Sequence, residues 1–216
     1  MPDGAITADK NTGRPDRKGL LLVVSAPSGA GKTTLCRRMA GADSGLQYSI
    51  SYTTRERRPG ETDGKDYFFI RESEFMDRAR RNEFAEWAKV HGHLYGTHVG
   101  FLNRTLGSGV DVLLDVDTQG ARSLKKVYPD GIFIFVLPPS METLMERLRQ
   151  RGSDSSEEIE RRLRVAREEI RHFVEYDYIL INDDIGKAIR ELESIILAQR
   201  MGIRAVDPEW IRRRYL

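Results

Sequence analysis

A continuous apolar run of strand length, LLLVVS at residues 20–25, passes directly into a glycine-rich loop, APSGAGKTT at residues 26–34. An uninterrupted apolar strand is typical of a parallel sheet that is covered on both faces. The loop matches the pattern G-x-x-x-x-G-K-[ST], except that Ala26 stands at the first glycine position. A strand, this loop and a following helix together predict an α/β fold with a phosphate-binding site at the start of the helix.

The residues of this loop have separate backbone and side-chain roles. Its glycines let successive backbone N–H groups curl around phosphate oxygens, and the helix N-terminus adds positive potential. Lys32 would reach the β- and γ-phosphates of a nucleoside triphosphate, and Thr33 would ligate Mg²⁺. An ordinary strand–helix turn is the alternative, and Ala26 fits the loop only if its φ is negative. The candidate residues for binding the nucleotide phosphates are Ala26, Pro27, Ser28, Gly29, Ala30, Gly31, Lys32, Thr33 and Thr34.

Further apolar segments of strand length alternate with segments of helical periodicity. This alternation predicts a parallel sheet with helices on both faces, joined by right-handed crossovers. The expected strands are at 111–117, 131–138 and 178–182, and the expected helices are at 33–41, 118–127, 140–151 and 184–201.

Two acidic residues, Asp115 and Asp117, close the expected strand at 111–117. Ligands of parallel sheets bind beyond the carboxyl ends of the strands, so these side chains should face the site. We assign Asp117 to the metal together with Thr33, and leave open whether either aspartate contacts Mg²⁺ directly or through water. The alternative role is a helix N-cap, which we consider chiefly for Asp115.

Length and composition restrict the classes of protein to which the chain can belong. A length of 216 residues suits one core with an inserted subdomain, and a net charge of +2 does not indicate a dedicated nucleic-acid binder. The single Cys36 cannot form an internal disulfide, and no apolar run approaches the ~18 residues of a membrane span. We therefore expect a cytoplasmic protein that binds neither nucleic acid nor membrane.

Changes in composition divide the chain into segments. Residues 52–97 are polar and aromatic, which predicts a small mixed-β insertion. Residues 144–172 are charged and helical, with a break at 151–154 and a capping box at 155–158, and they form either a lid over the site or a solvated helix pair. The expected segments are a disordered tail (1–18), core segments (19–51, 98–143 and 173–202), the insertion (52–97), the lid (144–172) and a basic C-terminal tail or docked helix (203–216).

The chain resembles the guanylate kinase family from about residue 20 to about residue 200. The resemblance is carried by the phosphate loop and by SYTTRERRPGETDGKDY, EFAEW, LYGT, DVDTQG, RGSDSSEEIERRL and INDD, at residues 51–67, 83–87, 94–97, 115–120, 151–163 and 181–184. It implies a P-loop core with a GMP-binding insertion and a closing lid, and the transfer of the γ-phosphoryl group of Mg·ATP to GMP and also to dGMP.

The resemblance also implies a set of site residues. The GMP phosphate would be held by Arg55, Arg58, Tyr67 and Tyr95, although a solvated basic turn would also explain the two arginines. The guanine base would be bound by Glu86 and Asp117, with the hydroxyls of Ser51 and Thr97 near O6. Arg55, Arg147, Arg151 and Arg162 would join Lys32 in catalysis, and Asn182 would lie near the adenine of ATP.

Two other functions remain to be weighed against this one. A kinase of a phosphorylated sugar would share the fold and the loop, but Glu86 and the four phosphate ligands argue against it. A scaffold that binds phosphopeptides without catalysis has no need for Lys32, Thr33 and the lid arginines. A regulatory GTPase is disfavoured because the chain has no N-K-x-D motif. Homo-oligomerisation is left open.

Overall fold

The computed structural model describes residues 17–90, 92–150 and 155–216. In chain order the strands are β1 (Leu21–Ser25), β2 (Leu46–Tyr48), β3 (Tyr52–Thr53), β4 (Phe68–Phe69), β5 (Phe84–Val90), β6 (His93–His98), β7 (Asp111–Asp115), β8 (Ile132–Leu137) and β9 (Tyr178–Ile181). The helices are α1 (Lys32–Ala42), α2 (Glu72–Arg80), α3 (Val99–Gly107), α4 (Thr118–Val127), α5 (Met141–Gln150), α6 (Ser156–Ile170), α7 (Ile185–Arg200) and α8 (Pro208–Tyr215), and a 3₁₀ helix spans Arg171–Glu175.

Five strands form a parallel sheet in the order β2-β7-β1-β8-β9. The three central strands are almost wholly buried, as their apolar sequences predict. One face packs in a cluster with residues of α1 and α7, and the other packs with residues of α3 and α4. The prediction of a parallel sheet with helices on both faces is confirmed. Strand β2 was not predicted, since its three residues, LQY, contain no apolar run.

The insertion forms a second sheet in the order β4-β3-β6-β5. Strands β3 and β4 are parallel, and β3–β6 and β5–β6 are antiparallel, so the sheet is mixed, as predicted. Its long hairpin, β5–β6, carries Glu86 opposite Thr97. Helix α4 packs against β5, so the insertion meets the core where β7 ends.

The lid helices α5 and α6 pack on each other through their own apolar cluster. Helix α5 begins at Met141, three residues before the expected start of the lid. Ser155 caps α6 by accepting a hydrogen bond from the Glu158 backbone N–H at 3.2 Å, which confirms the predicted cap. The expected break at 151–154 lies outside the described residues.

Asp111 ties the N-terminal end of the described chain to the end of α7. Within the expected tail at 1–18, Arg17 is described: it forms a β-bridge with Val206 and an ion pair with Asp111. Asp111 is fully buried and also accepts from Arg200 at 2.7 Å, so the carboxylate joins the N-terminal end to α7. Residues 1–16 lie outside the described part. Helix α8 forms, but none of its residues is buried.

Within the described ranges, no helix is both long enough and apolar enough to cross a membrane.

Candidate active site

The phosphate loop joins β1 to α1, as its sequence predicts. Gly29 and Gly31 have φ values of 105° and 91°, which side-chain-bearing residues rarely adopt. Asn82 is the one non-glycine residue with positive φ in the described ranges, so Ala26 is unstrained at the first position of the motif. Ala26 packs into the core cluster, where a methyl group fits without distorting the loop.

Side chains from β9 and the lid hold the loop from one side. Asn182 follows β9 and donates from Nδ2 to the Ala30 carbonyl oxygen at 2.7 Å. Arg147 on α5 donates to the carbonyl oxygen of Asn182 at 2.8 Å and to that of Ala30 at 3.4 Å. A Cβ atom on Gly31 would lie 2.4 Å from the Asn182 amide nitrogen, so only glycine permits this approach. A cavity of about 530 Å³ opens beside these residues.

The end of β7 faces the start of α1. Lys32 Nζ donates to the carbonyl oxygen of Val116 at 2.6 Å, and Thr33 Oγ1 donates to Asp115 Oδ2 at 2.8 Å. Asp117 caps α4, where its Oδ1 accepts from the Gly120 backbone N–H at 2.7 Å. The helix-capping role considered for Asp115 is therefore wrong, because the capping residue is Asp117. Asp115 is the carboxylate in contact with Thr33.

The oxygen atoms beside Lys32 suit a hard divalent cation. A hydroxyl and a carboxylate are ligands that Mg²⁺ accepts, and Mg²⁺ in kinase sites keeps waters and substrate phosphates as its other ligands. The described residues contain no group of three or more His, Cys, Asp or Glu side chains that could hold a metal. The Thr33–Asp115 pair therefore fits an ion that arrives with a nucleotide better than one held by protein ligands alone.

A second cleft, of about 300 Å³, joins the phosphate loop to the insertion. Residues from the loop, from both sheets and from the lid line this cleft. Those already expected from the sequence are Ala26, Pro27, Ser28, Gly29, Gly31, Lys32, Thr33, Thr34, Ser51, Tyr67, Glu86, Tyr95, Asp115 and Asp117.

Glu86 is a buried carboxyl group on β5. It is 7% exposed, and its Oε1 accepts a hydrogen bond from Thr97 Oγ1 at 2.7 Å. Burial raises the pKa of Glu86 to about 7, and the negative charge of Asp117 adds to this effect. Helix α4 lies close behind the carboxyl group, since a Cβ atom on Gly120 would be 2.8 Å from Glu86 Oε2. The site thus presents a desolvated acceptor whose position is fixed from both sides.

Arg55 and two tyrosines lie on the insertion beside this cleft. Arg55 forms two hydrogen bonds to Glu61, of 3.0 Å and 2.7 Å, and its guanidinium lies 5.4 Å from the centre of the Tyr67 ring. The rings of Tyr67 and Tyr95 meet edge to face at 5.9 Å. Arg58 is exposed and does not line the cleft, although its backbone N–H donates to Glu61 at 2.8 Å.

The lid also touches the loop through α6. Arg162 Nη2 donates to Ser28 Oγ at 2.6 Å, and a Cβ atom on Gly29 would lie 2.9 Å from Leu144 of α5. The lid residues Arg147 and Arg162 therefore both reach the phosphate loop. Arg151, the third expected lid arginine, lies outside the described residues.

Two residues of this site were missed in the sequence. Gly120 lies in the DVDTQG segment, and nothing in the neighbouring sequence indicates that it packs against Glu86. Glu169 on α6 lines the second cleft, and its Oε2 is buried without a hydrogen-bond partner. Its spacing of seven residues from Arg162 would have placed both side chains on one helix face.

Comparisons with known proteins agree with this architecture. The family model described as guanylate kinase matches residues 18–199. A guanylate kinase from Geobacter sulfurreducens is 51% identical over 184 residues, which cover 85% of this chain and 91% of the relative. One from Syntrophotalea carbinolica is 52% identical over 189 residues, which cover 88% and 89%. The crystal structure of guanylate kinase from Anaplasma phagocytophilum matches with a TM-score of 0.76 at 32% identity, covering 93% of this chain and 97% of that one. The chain therefore belongs to the guanylate kinase family.

Proposed function

We propose that this protein transfers the γ-phosphoryl group of ATP to GMP, giving ADP and GDP. The observation that carries the proposal is that the phosphate loop and the buried Glu86–Thr97 pair open onto one cleft. A phosphate donor at the loop and a guanine at Glu86 would therefore lie within one continuous site. The family relationship supports the same reaction.

Guanine recognition would depend on Glu86 and Asp117. Guanine offers N1–H and the N2 amino group as donors, and carboxylates accept such donors with charge-assisted hydrogen bonds. The hydroxyl proton of Thr97 is already donated to Glu86, so Thr97 orients the carboxyl group and Ser51 remains as the hydroxyl for O6. Adenine presents an acceptor at N1 and would leave Glu86 desolvated without a donor, a kind of mismatch that sites of this type reject by roughly 10⁴-fold.

The GMP phosphate would be held by Arg55, Tyr67, Tyr95 and Arg58. Arg55 is paired with Glu61, which fixes the guanidinium beside the two tyrosines. Arg58 would have to swing from its exposed position to make contact. The proposal therefore requires local closure of the turn that follows β3 when GMP binds.

Phosphoryl transfer in this arrangement is mainly a matter of position and charge. Lys32 and Arg162 would stabilise the negative charge on the transferring group, with Arg147 holding the loop. Arg151 is proposed for the same role from the sequence alone. Mg²⁺ bound to ATP would neutralise phosphate charge beside Thr33, and the contact between Thr33 and Asp115 favours Asp115 over Asp117 as its protein carboxylate.

The remaining assignments complete the proposal. The cavity beside Asn182 suits the adenosine part of ATP, and the Asn182 side chain acts there by holding the loop, since its amide is donated to Ala30. The insertion at 52–97 would be the GMP-binding part, and residues 144–172 the lid. The use of dGMP and a cytoplasmic location remain predictions.

Product analysis tests the proposal directly. The protein is incubated with Mg·ATP and, separately, with GMP, dGMP, AMP, UMP, CMP or a phosphorylated ribose. We expect GDP from GMP, and far less product from AMP, UMP and CMP. Phosphorylation of the sugar alone would assign the chain to sugar kinases, and GMP binding without any product would assign it to non-catalytic scaffolds.

A further inference from the structure

Glu169 lies in the last turn of α6 and takes no part in the chemistry proposed above. It follows Arg162 by seven residues, about two helical turns, so both side chains leave the same face of the helix. Arg162 on this face donates to the Ser28 hydroxyl at 2.6 Å. Glu169 lines the cleft beside the same loop. Helix α6 therefore brings one cation and one anion to the loop.

The carboxyl group of Glu169 is buried but lacks part of its hydrogen bonding. Its Oε2 is buried and has no hydrogen-bond partner among the described residues. Burial and, to a smaller extent, the charge of Asp117 raise the pKa of Glu169 to about 7, whereas Lys32 and the nearby Ser28 backbone N–H favour the charged form. The charge of Glu169 also contributes to the raised pKa of Tyr176, which follows the 3₁₀ helix. The carboxylate therefore lies beside a loop whose backbone N–H groups are of the kind that bind phosphate.

A phosphate group and a carboxylate cannot share this position. Both are anions that accept hydrogen bonds from backbone N–H groups, and like charges at contact distance repel strongly where water is excluded. We propose that the Glu169 carboxylate competes with the phosphates of ATP for the part of the cleft beside the phosphate loop, and that ATP binding displaces it from there. In the nucleotide-free protein this buried carboxylate lies where the charge of a phosphate would come.

This competition gives the lid different contacts in its two states. Without nucleotide, Arg162 donates to the Ser28 hydroxyl, and Glu169 lies in the cleft beside the loop. With phosphates bound, Glu169 is expelled and Arg162 remains next to the incoming charge. A purely structural carboxylate at this position would support the loop and therefore aid nucleotide binding. The two roles predict opposite signs for the effect of removing the charge.

The test is calorimetric titration of the full chain with Mg·ADP and Mg·ATP, without GMP. Glu169→Gln keeps the shape of the side chain and an acceptor oxygen but removes the charge, so it should bind both nucleotides about tenfold more tightly. Glu168→Gln is the matched control, because Glu168 is an exposed neighbour and the change in net charge is the same. It should change the dissociation constant by less than about twofold.

Binding by Glu169→Gln that is equal to or weaker than that of the wild type would overturn the proposal. If thermal melting shows that this variant does not fold, Glu169→Ala is titrated instead, with the same expected sign. The inference rests on the proposed function only in taking ATP as the ligand of the loop. GMP turnover by the wild type is measured in parallel: failure to form GDP would refute the proposed function, whereas GDP formation without tighter binding by Glu169→Gln would refute the competition alone.

Discussion

Replacing Glu86 by glutamine should weaken GMP use and improve folding stability at alkaline pH. The isosteric change keeps an oxygen that can accept from Thr97, a contact of 2.7 Å in the wild type. It replaces the other oxygen with an NH₂ donor that opposes the N–H groups of guanine. Loss of one charge-assisted hydrogen bond and the gain of an unsatisfied buried donor are together worth about 3–5 kcal/mol. We therefore expect kcat/KM for GMP to fall by about 10²–10⁴-fold, while ATP binding is nearly unchanged.

The stability effect follows from the pKa of Glu86. Burial raises this pKa from 4.5 to about 7, so the folded protein retains a proton that the unfolded chain has lost. Wild-type stability should therefore fall as the pH rises from 4.5 to 7 and stay low above pH 7. At about 1.4 kcal/mol for each tenfold change in proton affinity, the cost above pH 7 is about 3 kcal/mol. Glu86→Gln does not titrate and should lack this loss.

Urea unfolding of both proteins between pH 5 and pH 8 measures the effect. Between pH 5 and pH 8, the free energy of unfolding of the wild type should fall by about 2.5 kcal/mol relative to that of Glu86→Gln, because part of the loss has already occurred at pH 5. Any constant penalty from the new amide cancels in this comparison, and so does the titration of Glu169, which both proteins share. Glu72→Gln, an exposed site on α2, is the control for net charge. A pH-independent difference would refute the burial argument, and equal losses with GMP and ATP would refute the assignment to guanine.

Three further changes test other parts of the site. Lys32→Ala should abolish turnover and leave the thermal melting profile nearly unchanged, because the lysine side chain lies at the phosphate loop and not in the core. A wild-type kcat in this variant would show that Lys32 has no role in the mechanism. Gly120→Ala should raise KM for GMP selectively, since its Cβ would lie 2.8 Å from Glu86 Oε2. An unaltered KM would show that α4 shifts enough to accommodate the methyl group. Arg162→Ala should lower kcat by about 10²-fold with little change in the dissociation constant of GMP, and the reverse split would make Arg162 a ground-state ligand.

The sequence predicted those features whose signals are local. The apolar run before the phosphate loop and the spacing of its glycines specify a strand, a turn and a helix, and the structure has all three between Leu21 and Ala42. Strand β2 has no such signal, because it is defined by pairing with β7 and not by its own three residues. The division of roles between Asp115 and Asp117 was equally hidden. Both carboxylates suit either a cap or a metal, and only the distances to Gly120 and Thr33 separate the two.

Glu169 and Gly120 show a further limit of sequence reasoning. Their roles arise from contacts with residues that are distant or on other elements: Glu169 faces the phosphate loop, and Gly120 faces Glu86 on β5. Neither residue type signals such a contact, since glutamate in a charged helix is usually solvated and glycine near a helix start is common. The resemblance to guanylate kinases predicted several side chains that line the cleft, such as Tyr67, Glu86 and Tyr95, but not the residues that pack against them.

The acids of the cleft connect specificity to stability. Glu86 and Glu169 both have a pKa raised to about 7, and the charge of Asp117 contributes to each shift. Burying these carboxylates close together raises the free energy of the empty site when they are ionised. A ligand with suitably placed donors lowers this free energy and thereby gains affinity. In the proposed complex, guanine would supply N–H donors to Glu86, and phosphates would expel Glu169 from the loop. A ligand without donors at the guanine position leaves the first cost in place, which is why discrimination against adenine would arise from the burial of Glu86 itself and requires no steric barrier.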